Sequence, residues 1–105
     1  MSKYRSLEEV TEEYFAERPE EIESFLSECF EEYAKDGDST ALLSQLRVIA
    51  RVKGISEIAN EIGLTRQGLQ KALSAKGNPR FDNISSIMHA MGYSLMPQKL
   101  DIHTR

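Results

Sequence analysis

Apolar residues recur at three- and four-residue intervals along most of this chain, and that period predicts a succession of helices. Leu7, Val10, Tyr14 and Phe15 share one face of a first helix that runs to about Glu17. Ser6, with Glu9 three residues on, has the pattern of a capping box at its start. Arg18-Pro19 breaks this helix, and Pro19 suits the first turn of the next. There Glu20, Glu21 and Glu23 complement the N-terminal dipole. Ile22, Phe25, Leu26, Cys29, Phe30 and Tyr33 form the second stripe, which Asp36-Gly37-Asp38 closes. A third helix is expected from an N-cap at Ser39 to Lys53, with Leu42, Leu43, Leu46, Ile49, Ala50 and Val52 as its apolar face. Arg47, Arg51 and Lys53 occupy its second half, where cations suit a helix C-terminus, and Gly54 stops it.

The pattern then shortens. Two brief helices, residues 56–62 and 66–74, flank Gly63-Leu64-Thr65. A loop follows over 75–81, and Asp82 is placed to cap a last helix over 83–91, closed by Gly92. Tyr93-Ser94-Leu95-Met96 alternates and suits a short strand before Pro97. The expected class is all-α, in three segments: an acidic helical region 1–38, a helix-turn-helix domain 39–97 and a flexible tail 98–105.

Charge divides the chain at the same place. The net charge is −4, but residues 1–38 carry 13 acidic against 4 basic residues, a net −9, whereas residues 39–105 carry 4 against 9, a net +5. The second half suits phosphate; the first repels it and suits a basic protein. A solvated acidic helix is the plainer alternative for the first half. No run of eighteen apolar residues is present, so no membrane span is expected, and the N-terminus has no apolar signal-peptide core. A soluble intracellular protein is expected. One cysteine allows no internal disulfide, and Cys29 reads as a core filler. His89 and His103 lie far apart, and no acid–base set or metal-ligand spacing is visible. An enzyme, a metal and a cofactor are therefore not expected. Met88, Met91 and Met96 read as core or dimer packing.

Residues 56–74 carry the most specific pattern. Ala59, four before Gly63, stands where two helices cross closely, and Gly63 where a tight turn wants positive φ. Ile58, Ile62, Leu64, Leu69 and Leu73 are placed to face a shared core, and Thr65 to cap the second helix. Arg66, Gln67, Gln70 and Lys71 are left facing outward. Arg pairs bidentately with guanine and Gln with adenine in the major groove, while Thr65 and a helix N-terminus hold phosphate. Lys76, Asn78 and Arg80 in the next loop suit backbone contacts. No acidic residue interrupts Thr65 to Arg80. A polar αα-hairpin with no nucleic-acid role is the competing reading. Gly68 is unexplained inside a helix, where it costs about 0.8–1 kcal/mol against Ala. Close approach by another helix or by DNA would account for it, and a local loop-like irregularity is the duller explanation.

The stretch ARVKGISEIANEIGLTRQGLQKALSAKGNPRFDNISSIMHAMGYSL resembles the addiction-module antidote proteins, small antitoxins of the HigA type with a lambda-repressor-like (Xre-type) helix-turn-helix. Gly-Leu-Thr-Arg-x-Gly-Leu-x-Lys-Ala-Leu-Ser and Gly-Asn-Pro-x-Phe carry the likeness, which spans about Tyr14 to Met96. It implies a cytoplasmic antitoxin that neutralises a small basic toxin of the RelE/ParE superfamily and represses its own operon. Residues 1–38 then become the expected toxin-binding part. The implied partners are double-stranded DNA, the toxin and a second copy in a homodimer. Thr65, Arg66, Gln67, Gln70 and Lys71 lie where such proteins touch DNA. Gln67 stands where an acidic residue is common, and Met1–Glu13 matches weakly. A stand-alone regulator without a toxin, or a protein-interaction module, remain the alternatives.

Overall fold

The computed structural model describes residues 6–74 and 76–100. Its regular elements are all helical: α1 (Leu7–Glu17), a 3-10 turn (Pro19–Glu21), α2 (Ile22–Asp36), α3 (Ser39–Lys53), α4 (Ile55–Ile62), α5 (Arg66–Ala72) and α6 (Phe81–Ala90). The expected all-α class is observed. At the start of α1, the Ser6 hydroxyl accepts from the Glu9 N–H at 3.1 Å, and Glu9 Oε1 accepts from the Ser6 N–H at 2.9 Å. The capping box read from the sequence is therefore closed in both directions.

Two expected caps move. Asp38, not Ser39, caps α3, accepting from the Ala41 N–H at 3.1 Å. Gly37 ends α2, so only Gly37 and Asp38 separate the two helices, and the carboxylate takes the capping position. Arg80, not Asp82, is the N-cap of α6 and makes no side-chain cap bond. The extended backbone of Arg80, just after Pro79, lets the helix begin at Phe81. Asp82 then falls in the first turn, where its carboxylate accepts from the Asn83 N–H at 2.9 Å.

The strand expected over 93–96 is absent. No other strand exists among the described residues to pair with it, and a lone strand leaves its backbone groups unsatisfied. Its alternation has another cause. Tyr93 and Leu95 turn inward against the core while Ser94 and Met96 stay exposed. The Tyr93 N–H donates to the Met88 carbonyl at 2.9 Å, and the Lys53 ammonium sits 5.3 Å from the Tyr93 ring centre. Of the expected flexible tail, residues 101–105 lie outside the described residues.

One apolar core runs through both parts of the chain. Phe15, Ile22, Leu26 and Cys29 from the first two helices meet Leu42, Leu46 and Ile49 of α3, and the same cluster continues to Ile58, Leu69, Leu73 and Ile87. Ile22, Leu46, Ile49, Leu69, Leu73 and Ile87 are completely enclosed. Each such side chain contributes about 1.5–3 kcal/mol relative to exposure. Met88 and Met91 join this core, but Met96 does not.

The first helix departs from expectation. Only Phe15 of its apolar set is buried; Leu7 is 81% exposed, Val10 45% and Tyr14 41%. The side turned toward α3 carries Glu8 and Glu12 instead. Arg47 donates to Glu8 Oε2 at 2.5 Å and Arg51 to Glu8 Oε1 at 3.0 Å. Arg51 also donates to Glu12 Oε1 at 3.1 Å. Arg47 and Arg51 therefore do more than complement a helix dipole: they fasten α1 to α3.

Candidate nucleic-acid interface

Gly63 joins α4 to α5. Its backbone is left-handed (φ 80°), which a Cβ would strain, and this reversal lets the Leu64 N–H reach the Ala59 carbonyl at 2.8 Å. Ala59 is buried where the two helices converge, as its position before the glycine predicts. Ile58, Leu69 and Leu73 are buried, and Ile62 and Leu64 pack at the edge of the core. With the apolar side of α5 fixed inward, its start is pinned by Thr65, whose hydroxyl accepts from the Gly68 N–H at 2.9 Å.

Gly68 gains a partial explanation here. A Cβ at this position would stand 3.1 Å from the Thr65 hydroxyl oxygen, tighter than ordinary contact. Among the described residues no second helix comes within 4 Å of that point, so of the explanations considered the approach of another helix is not the cause. Gly77 is more strictly required. A Cβ there would collide with the backbone carbonyls of Ala72 and Lys71, because the turn after α5 folds back on the helix end. The Gly77 N–H donates to the Ser74 carbonyl at 2.9 Å within that turn.

The eight expected contact residues fall into three groups. Thr65 and Gln67 are exposed at the start of α5, with Gln70 and Lys71 one turn on; Gln70 is half-buried and Lys71 exposed. Lys76, Asn78 and Arg80 are exposed along the loop that leads to α6. Arg66 is the exception: its guanidinium donates to the Ser56 hydroxyl on α4 at 3.0 Å. Arg66 thus reaches back across the turn, into a cleft it shares with Glu12, Arg51, Ser56 and Glu57. Two guanidinium groups and two carboxylates balance in formal charge in that cleft, so it is no simple anion pocket. Arg80 lies 3.5 Å from Asp82 in a well-exposed ion pair, which holds it weakly.

Two features escaped the sequence reading. Phe81 is 75% exposed beside Arg80, an uncovered aromatic ring at the end of the basic loop. Its place between a proline turn and a helix start gives no periodicity from which burial could be judged. Arg47 also donates to the Leu73 carbonyl at 2.6 Å, capping the end of α5. The same guanidinium therefore holds Glu8 of α1 and the last turn of α5. Such a link joins residues 39 positions apart in one direction and 26 in the other, which local sequence patterns do not reveal. Arg47 and Arg51 are also subtracted from the basic charge open to solvent. What remains near α5 is Arg66, Lys71, Lys76 and Arg80.

The Glu8 carboxyl titrates below its ordinary value: the Arg47 hydrogen bond lowers it most, partial burial opposes, and Arg51 lowers it further. Among the described residues no group of three or more His, Cys, Asp or Glu side chains is placed to hold a metal ion. No helix among them is long and apolar enough to cross a membrane.

Comparison with known proteins gives the chain's family. A family model described as "Probable addiction module antidote protein" matches residues 6–99. An uncharacterized protein of Haemophilus influenzae (strain ATCC 51907 / DSM 11121 / KW20 / Rd) is 38% identical over 80 residues, covering 76% of this chain and 78% of the relative. No solved structure matches. The family match takes in α1 to α6 entire, including the acidic helix that the sequence resemblance left weakest. This chain belongs to the family of probable addiction module antidote proteins.

Proposed function

We propose that this chain is a DNA-binding antitoxin of a type II toxin–antitoxin module, which neutralises a RelE/ParE-superfamily toxin and represses its own operon from the cytoplasm as a homodimer. The α4–α5 pair acts as a lambda-repressor-like helix-turn-helix of the HigA and Xre type. Residues 39–97 carry DNA binding and residues 1–38 the toxin. The protein works by binding and has no catalytic centre.

The observation that carries this reading is the open side of α5 and the loop after it. Gln67 and Lys71 are exposed, and Gln70 half-buried, on a helix whose apolar side is locked into the core, and the exposed Lys76, Asn78 and Arg80 follow along the chain with no acidic residue between. Amides near the helix start suit base edges; the lysines and Arg80 suit phosphates. Thr65 keeps its hydroxyl proton for a phosphate while its oxygen caps the helix. Arg66, tied to Ser56, suits a backbone contact at the mouth of the groove or release toward a base.

The test is a titration of the full chain against a duplex from its own promoter and a scrambled duplex, at two salt concentrations. Tighter binding to the promoter, falling steeply with salt, is expected. Binding that is equal on both duplexes, or flat in salt, would contradict repression. A toxin encoded beside the gene, rescued by co-expression, separates the antitoxin from a stand-alone regulator.

A further inference from the structure

α1 presents an apolar stripe that the described residues leave largely uncovered. Leu7, Val10 and Tyr14 stand at i, i+3 and i+7, so they align on one side of the helix, and all three are exposed. Beside them run Glu9, Glu13 and Glu17 at four-residue spacing, also exposed. The opposite side is closed by Glu8 and Glu12 on Arg47 and Arg51 and by Phe15 in the core, so the helix is held in place without Leu7, Val10 and Tyr14. At the far end the Arg18 guanidinium stacks 4.2 Å from the Tyr14 ring centre and faces Glu17 at 3.9 Å, while the Tyr14 hydroxyl donates to Glu21 at 2.6 Å. Tyr14 is therefore fixed in orientation with part of its ring outward.

Charge decides what fits there. DNA would bring phosphates against the glutamate row, and a second copy of this face would bring another row of carboxylates; like charges brought together oppose docking. A basic protein surface meets no such opposition. We propose that the outward face of α1, Leu7, Val10 and Tyr14 with Glu9, Glu13 and Glu17 alongside, is the docking surface for the basic toxin of the module. The occupant is a groove with apolar sockets at helical spacing and a rim of Lys or Arg on one side, a helix-in-groove arrangement. The apolar stripe supplies the anchors, and the glutamates set orientation and speed encounter. This rests on the antitoxin reading above and narrows it from residues 1–38 to one side of one helix.

The experiment uses the full chain and the purified toxin encoded in the same module, titrated by calorimetry. Val10→Glu is expected to weaken binding by roughly thirtyfold or more. Tyr33→Glu, an apolar position on α2 as exposed as Tyr14, serves as the control and is expected to bind as the unaltered chain does. Circular dichroism checks that both variants fold. Amide hydrogen exchange on the unaltered chain gives an answer that does not depend on any variant: added toxin should protect residues 7–17. If the unaltered chain neither binds the toxin nor rescues growth, the antitoxin reading falls and the surface with it. If it binds but Val10→Glu binds equally well, or Tyr33→Glu loses as much, the surface is wrong while the antitoxin reading stands. Toxin protection that spares residues 7–17 overturns the surface in the same way.

Discussion

α1 and α5 are both short and polar, and both lie on the surface, yet they are turned in opposite senses. In α5 the leucine at the middle of the helix, Leu69, is fully enclosed, and the amides and Lys71 face outward or to the edge. In α1 the carboxylates Glu8 and Glu12 face the body of the protein, and Leu7 and Val10 face away. The difference lies in the neighbour. α5 meets an apolar surface made by α4 and the core, so burial fixes its orientation. α1 meets α3 where Arg47 and Arg51 stand, and their guanidinium groups require carboxylates. An amphipathic pattern thus gives the direction of an apolar stripe on the helix, but the partner element decides whether that stripe is covered.

This contrast can be broken by core substitutions. Leu69→Ala should lower unfolding free energy by about 2–5 kcal/mol in urea denaturation, because it opens a cavity in an enclosed site. Leu7→Ala should change it by less than about 0.5 kcal/mol, since the side chain is already in water. Similar losses at both positions would mean that the α1 stripe is covered after all.

A smaller effect separates the polar sides. Gln67→Ala should cost about 1–3 kcal/mol on the true operator and little on scrambled duplex, measured by fluorescence anisotropy. Lys76→Ala should weaken both duplexes alike and lower the log–log salt slope by about 0.9. Identical behaviour of the two variants would remove the division between reading and gripping on the α5 side.

The smallest effect concerns the carboxylates under α1. In the folded chain Glu8 holds its proton less tightly than the ordinary value of 4.5, chiefly because Arg47 hydrogen-bonds its carboxylate. On acidification the unfolded chain takes up that proton first. The stability from this pairing is therefore complete above about 4.5 and is lost as pH falls through the folded-state value. Denaturation midpoints between pH 7 and pH 3 should fall less steeply for Glu8→Gln than for the unaltered chain. An unchanged slope would mean that Glu8 and its arginines are only a surface pair.

The sequence was a good guide where local rules decide the outcome. The capping box at Ser6, the left-handed turn at Gly63, the cap at Thr65 and the inward set Ile58, Leu69 and Leu73 depend on nearest neighbours and periodicity, and each is found where expected. The candidate contact surface was legible for the same reason, since fixing the apolar side of α5 leaves its polar side outward. The caps expected at Ser39 and Asp82 are local and still moved by one and two residues, but most of what escaped depends on pairs distant along the chain. Arg47 on Glu8 and on the Leu73 carbonyl, Arg66 on Ser56, and the exposure of Leu7 and Val10 are set by which helices meet. The alternation over Tyr93–Met96 misled because an irregular segment lying along a core also turns every second side chain inward.

Cys29 is the only cysteine in the chain and is buried on α2 among the side chains that join the first two helices to α3. Enclosure pushes its thiol up to about 11, with the nearby Glu28 charge adding to the shift. At neutral pH roughly one thiol in ten thousand is then thiolate, the form that attacks disulfides and alkylating reagents. Modification must wait for α2 to lift from α3. The rate at which a thiol reagent labels this chain is accordingly a clock for its opening, and a covalent dimer in an oxidised sample would be a record of molecules that had come apart.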